Sequence, residues 1–352
     1  MSARIVCLAV LLGVASSFVA GQPTPEAVLA GLKSEDAAAR RQAQDEAVKL
    51  GAAAIAPLCA LIAEDTPMGI SAAEKTLLAI VARATAPGSD DIRQAVSAAL
   101  AEQTKCAPAD RARVIATRFL GLVGGADVVP ALAAALDGKA TFEPARGALM
   151  RIPGAQATKA LLAAAAKAPA EQRPPLLLAL GARRDATALR PLLGYAKRTD
   201  VAASVAALTA LAQIGDVRAA KTVTAIAAKA TGPIRSAAID ALLALADAQR
   251  ARNPKTAGPL YRAAFDRGVT NAQRSAALIG LTATDYPGLL RLLVTALAGP
   301  GLARTASTLV SRMPDDKLAA ALRTALKTAK GDARAALLDL ARQRKLSGLP
   351  SQ

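Results

Sequence analysis

The sequence predicts an all-α chain, an α-α superhelix of about nine to ten helical-hairpin repeats. Three observations carry this reading. A two-helix unit recurs about every thirty residues between Pro25 and Lys345. Ala and Leu dominate the composition, and Ala is the strongest helix former. Alternating β-branched runs are few, and there are no Asn-Gly hairpin turns. A unit of this size cannot bury its own apolar face, so the units must stack and the core grows with each one.

The clearest copy runs from Thr199 to Ala230. Val201, Val205, Leu208 and Leu211 recur at steps of four, three and three, which places them on one helical face. Gly215 is expected to end that helix and Asp216 to cap the next. Val223, Ile226 and Ala227 then form the buried side of the second helix. Another copy carries Phe119, Leu120 and Leu122, a Gly124-Gly125 turn, Asp127 as cap and Pro130 in the first turn of its second helix. Proline is tolerated there because the missing N–H has no intrahelical partner. The same plan reads as Gly51, Pro57, Leu58 and Leu61; as Gly154, Leu161 and Leu162; as Gly181, Asp185, Pro191, Leu192 and Leu193; and as Pro314, Asp315, Leu318 and Leu322. Taken as turns, Gly124, Gly154, Gly181 and Gly215 stand 30, 27 and 34 residues apart. The charged stretch between Asp247 and Pro259 reads as a longer exposed loop or a bend in the stack.

The run Gly215-Asp216-Val217-Arg218-Ala219-Ala220, followed by an Ala-rich amphipathic helix, resembles the HEAT-like repeat of the phycobilisome-lyase type, within the armadillo-type α-solenoids. The resemblance covers nearly the whole chain after its first residues. It implies a right-handed superhelix with first helices outside and second helices lining a concave face. Lys221 departs from the pattern, standing where other units have Pro130 and Pro57. The family is functionally diverse, so the resemblance carries the fold and little of the function.

The domain reading is a secretory signal peptide over 1–21, a repeat solenoid over 22–346 and a short tail over 347–352. Arg4 precedes an apolar run from Ile5 to Leu12, and Val19-Ala20-Gly21 supplies small residues for cleavage before Gln22. An uncleaved anchor is the alternative, although the apolar part is short for a span. No later segment reads as transmembrane, so the expected address is exported, either periplasmic or secreted. Cys59 and Cys106 remain after processing; buried or unpaired thiols are expected, with a bridge as the alternative.

Net charge is +17 and unevenly placed. Residues 1–110 hold 9 Lys/Arg and 12 Asp/Glu, and residues 111–352 hold 35 and 15. The later repeats are thus strongly basic, which points to an anionic partner surface. Arg190, Lys197, Lys221, Arg262, Arg291 and Arg323 fall on second helices and are the candidate anion-binding groove, with Lys229 and Lys327 beside them. Arg146, Arg235, Arg274, Arg304 and Arg334 recur early in first helices and are expected to form a basic ridge. Solvation of an Ala-rich surface is the plainer explanation of both sets. Tyr195, Tyr261 and Tyr286, with Phe265, are the candidate partner anchors, or else ordinary packing residues.

The chain has no His, which removes the most common general base, the Ser-His-Asp triad and every His-containing zinc or haem site. Two mature cysteines cannot build a four-thiolate site, and no glycine-rich phosphate loop or calcium loop occurs. Asp90-Asp91 and Asp315-Asp316 are the conspicuous carboxylate pairs. Each precedes a predicted helix, so capping accounts for them. No catalytic, metal or cofactor site is therefore expected. The leading reading is a non-catalytic exported scaffold for protein–protein interaction. The second is a binder of an anionic polymer (envelope polysaccharide, lipid headgroups or nucleic acid) through the basic units after residue 110. A HEAT-like enzyme such as a DNA glycosylase or lyase is third and disfavoured, because DNA glycosylases of this architecture rely on aromatic residues and Trp is absent.

Overall fold

The computed structural model describes residues 24–64, 66–284, 286–297, 301–327 and 330–346. The signal-peptide segment 1–21 and the tail 347–352 lie outside the described residues. The regular structure among the described residues is helical throughout. The chain divides into two units, one ending at Ala168 and one starting at Pro169.

In the first unit the helices are α1 Pro25–Leu32, α2 Ala37–Leu50, α3 Ile55–Ala63, α4 Pro67–Ala84, α5 Asp90–Cys106, α6 Asp110–Val123, α7 Val129–Ala135, α8 Phe142–Arg151 and α9 Ala155–Lys167. Their packing sorts them into two ladders. The even helices α2, α4, α6 and α8 pack in succession, and so do the odd helices α1, α3, α5, α7 and α9. Rungs such as α5 against α6 and α3 against α4 join the ladders. This is the repeat solenoid read from the sequence, with each helix pair burying its apolar face on the next.

The second unit contains α10 Arg173–Arg183, α11 Leu189–Ala196, α12 Val201–Ile214, α13 Ala220–Lys229, α14 Gly232–Arg250, α15 Pro254–Arg267, α16 Asn271–Thr282, α17 Leu289–Leu297, α18 Ala303–Val310, α19 Asp315–Leu326 and α20 Gly331–Gln343. Helices α10, α12, α14, α16 and α18 pack in succession, while α13 lies against α15 and α17 against α19. Its last repeats share a core led by Leu278, Leu293, Val310, Leu318 and Leu322.

Local chemistry explains the turns. Gly215 takes φ 69°, a left-handed value that costs a residue without Cβ nothing, and ends α12. Asp216 then accepts from the Arg218 amide. The Arg218 guanidinium also binds the Asp216 carboxylate, holding its pKa below the usual range. Pro67, Pro130 and Pro254 open helices where an N–H would lack a partner.

Several expectations need correction. Gly181 does not make a turn: it lies inside α10, buried, and α10 ends at Arg184, whose own φ is 53°. A Cβ on Gly181 would lie 2.5 Å from the Ala210 Cα of α12, so its glycine lets two helix backbones approach. The stretch after Asp247 is not a long loop either. Helix α14 runs through to Arg250, Asn253 caps α15, and Pro259 sits within α15. Asp127 does not cap α7 but accepts from the Gly125 amide at 3.0 Å. Asp90 and Asp315 are first-turn residues of their helices rather than caps, a place where negative charge also suits the helix dipole. Val201 and Leu122, read as core, are exposed. Small residues take their place: Ala203, Ser204, Ala206, Ala207 and Ala210 of α12 are all buried, because α10, α11 and α14 surround that helix on three sides.

One run also departs from the membrane reading. The helical stretch Ala37–Ala63 is long enough, and apolar enough over part of its length, to cross a membrane by composition. Its path is broken at Gly51, with φ 60°, and a 3-10 turn spans Gly51–Ala54. The apolar residues beyond the break, Ile55, Leu58, Cys59, Leu61 and Ile62, are buried within the unit.

Candidate functional site

The two ladders treat their charges differently. On the even helices of the second unit, and in the turns, cations are largely engaged. Arg173 meets Asp200 at 3.5 Å and Arg218 meets Asp216 at 2.5 Å. Arg344 donates to Asp315 at 2.9 Å and to the carbonyls of Ser311 and Met313.

The arginines expected to form a ridge are among the engaged ones. Arg274 is the fourth residue of α16, and its Nε donates to the Gly268 carbonyl that ends α15. Arg334, fourth in α20, donates to the last carbonyl of α19, at Leu326. Arg235 donates to the Arg267 carbonyl and Arg146 pairs with Glu143. In the first unit Arg40 and Arg113 occupy the same fourth position and donate to Ser34 and Ala107. Helix C-termini leave carbonyls without intrahelical partners, and these guanidinium groups satisfy them. The predicted ridge is thus mostly a set of carbonyl clamps; Arg304 is the exposed exception.

The six groove candidates all lie on or at the ends of odd helices of the second unit. Arg190 and Lys197 belong to α11, Lys221 to α13, Arg262 to α15, Arg291 to α17 and Arg323 to α19. All are exposed except Arg262, which is half-buried. Arg262 binds Asp266 through Nε at 2.9 Å, and that bond, with Tyr286 adding to it, pushes its pKa upward. Its charge is thus spent within the protein. None of the ion pairs among the described residues uses Arg190, Lys197, Lys221, Lys229 or Arg291.

Helical spacing lines these groups up. On α11 the exposed positions Arg190, Gly194 and Lys197 follow steps of four and three. On α13 they are Lys221, Ala225 and Lys229, and on α19 Ala320, Arg323 and Lys327. On α11 and α13 the exposed stripe therefore carries two cations separated by a small residue, and on α19 two cations follow Ala320. The corresponding stripes of the first unit are of mixed sign: α5 exposes Asp91 and Glu102 with Lys105, α7 is followed by exposed Asp137 and Lys139, and α9 exposes Lys159 and Lys167. Residues 1–168 hold 17 Lys/Arg and 15 Asp/Glu, against 27 and 12 in residues 169–352. The first unit also has an open hollow of about 480 Å³ beside Pro67, Ile70 and Arg111, where Glu74 is already paired with Arg118.

The aromatic anchors are not on this surface. Tyr261 is 1% exposed, its ring lies over Gly280 of α16, and its hydroxyl donates to the Asp247 carboxylate. Tyr195 is buried, with the Arg198 guanidinium 4.4 Å from its ring centroid. Both fill the interior of their repeats, which removes them as contact residues. Tyr286 is half-buried against Gly258, and Phe265 packs against the core of the last repeats. Cys59 is buried and Cys106 half-buried, and no disulfide joins them.

No family model matches the chain. No curated protein matches it either. Among solved structures, an engineered protein from a structural genomics consortium is 16% identical, with a TM-score of 0.35 over 92% of this chain and 99% of its own. The complex of CpcE and CpcF of phycocyanin lyase from Nostoc sp. PCC7120 is 20% identical, with a TM-score of 0.29 over 85% of this chain and 98% of its own. At these scores neither likeness bears on what the chain does, and the fold stands on the packing of its own helices.

Proposed function

We propose that the protein is a non-catalytic, exported helical-repeat scaffold that binds another protein. The carrying observation is the set of exposed, unneutralised cations on the odd helices of the second unit: Arg190, Lys197, Lys221, Lys229 and Arg291. The same unit neutralises other cations with Asp200, Asp216 and Asp266, so carboxylates are available to it. Like charges left on one layer repel one another, and an acidic partner relieves that repulsion. The absence of His supports a binding role over acid–base chemistry. The apolar run after Arg4, followed by Val19-Ala20-Gly21, supports export.

The test uses the chain from Gln22 onward and a variant carrying Lys197→Glu, Lys221→Glu and Arg291→Glu. Both are cross-linked to proteins of the source's envelope and secreted fractions. A protein held by the native chain and released by the variant supports the reading. Equal capture by both, or capture of polysaccharide or nucleic acid alone, rejects it.

A further inference from the structure

We infer that the element received by the odd helices of the second unit is an extended acidic polypeptide segment, with carboxylates about three residues apart. This rests on the reading that the partner is a protein, and it names the part of the partner that docks.

The first argument is what the surface lacks. A folded protein interface centres on buried aromatic or aliphatic anchors within an apolar patch. The exposed large apolar residues among the described residues are Met68, Leu78, Leu122, Leu178, Val201, Val269 and Ile279, and all lie on even helices or in a turn. The odd helices offer charge without an apolar centre. That composition suits a polar segment whose affinity comes from ion pairs.

The second argument is relief. Gly194 separates Arg190 from Lys197, and Ala225 separates Lys221 from Lys229. Small residues between the cations let a chain lie close to the helices, within reach of both neighbouring side chains.

The third is spacing. Packed helices stand about 8–10 Å apart. An extended chain advances about 3.3 Å per residue. Where odd helices pack on each other, as α13 on α15 and α17 on α19, crossing from one to the next therefore takes about three residues, so carboxylates three positions apart meet both stripes. Duplex DNA carries a charge about every 1.7 Å, far denser than these stripes can neutralise. Bases also need aromatic platforms, and Tyr195 and Tyr261 are buried. A sparse carboxylate array fits better than a phosphate polymer.

The experiment measures binding of the chain from Gln22 onward to labelled peptides, at low and physiological salt. One peptide has Glu at every third position in a Gly/Ser background. A second has the same composition with all Glu in one block. Single-stranded DNA and a carboxylated polysaccharide complete the set. The spaced peptide is expected to bind at least about threefold tighter than the block peptide. The pair Lys221→Glu and Arg291→Glu should weaken it about tenfold, while Arg218→Ala, which removes a cation already paired, leaves it unchanged. Circular dichroism confirms that the variants remain helical. Equal binding of the two peptides, tighter binding of DNA or polysaccharide, or indifference to the double reversal overturns the inference. If a folded protein is captured through these cations while no peptide binds, this inference fails and the scaffold reading stands. If neither is held, both fail.

Discussion

The Arg274 Nε donates to the Gly268 carbonyl across 3.0 Å, joining the first turn of α16 to the end of α15. Arg113 reaches the Ala107 carbonyl at 3.1 Å, and Arg40 reaches Ser34 at 2.7 Å, each six residues back. Ser204, also fourth in its helix, donates to the Ala196 carbonyl that closes α11. In α2, α6, α12, α16 and α20 the fourth position thus ties an even helix to the end of the odd helix before it, while in α14 Arg235 reaches forward to the end of α15. Removing Arg274 leaves the Gly268 carbonyl without that donor. Arg274→Ala is expected to destabilise the second unit by about 1–2 kcal/mol, a drop of a few degrees in Tm. Urea unfolding checks this, and peptide or partner binding should not change, because this cation faces a carbonyl rather than the odd-helix stripe. Loss of binding at unchanged stability would return Arg274 to the ligand surface.

Gly181 sets two known magnitudes against each other. Alanine is favoured over glycine inside a helix by about 1 kcal/mol. At this position, however, the new Cβ would meet the Ala210 Cα at 2.5 Å and its Cβ at 2.8 Å. Backbone cannot move aside like a flexible side chain, so α10 and α12 must separate. Overpacking of this kind costs about 1–3 kcal/mol, and it wins. Gly181→Ala is therefore expected to lower stability, whereas Gly194→Ala, with open space around its Cβ, should raise it slightly. Melting temperatures of the two variants separate a packing glycine from a merely permissive one.

Tyr261 tests the same distinction for an aromatic residue. Tyr261→Phe removes only the hydrogen bond to Asp247 and should cost about 1 kcal/mol. Tyr261→Ala empties the space over Gly280 and should cost about 3–5 kcal/mol. Chemical denaturation measures both. Partner affinity of the Phe variant should match the native chain, and a selective loss of affinity would restore Tyr261 as a contact residue.

The sequence showed the helical-hairpin repeat clearly because its period, its Gly215-Asp216 punctuation and its first-turn prolines are local signals. It also placed Arg190, Lys221 and Arg291 on second helices correctly, since helix assignment alone decides that. What it could not show was which charges are already used. Arg274 and Arg291 look alike in sequence, yet one clamps a carbonyl and the other is exposed without an ion pair. The partner of a guanidinium often lies on a neighbouring helix or in a turn, so its engagement is a tertiary fact. Tyr195 and Tyr261 failed as anchors for the same reason: residue type marks aromatic area, while burial depends on which helices close over the ring. Gly181 was read as a turn and Pro259 as the end of a loop or bend, because these residues usually mark such places; here one serves helix contact and the other fits within α15.

Cys59 gives the stability a predictable alkaline limit. Burial pushes its thiol from 9.0 up to about 12, with the nearby Cys106 adding in the same direction. Between those values the unfolded chain releases a proton that the folded chain keeps. The folded state then binds more protons, so stability falls as pH rises. The contribution is intact below pH 9.0, declines through the window up to about 12, and has a limiting slope of about 1.4 kcal/mol per pH unit. Tyr261 in the second unit is also pushed upward, by burial first and then by its bond to Asp247, so a loss of the same sign begins above the ordinary tyrosine range. Variants separate the two contributions. Cys59→Ala should flatten the fall that starts near pH 9.0, whatever its stability at neutral pH, and Tyr261→Phe should flatten only the later part. Urea midpoints measured across the alkaline range provide the readout. Parallel curves for Cys59→Ala and the native chain would show that the buried thiol does not govern the decline.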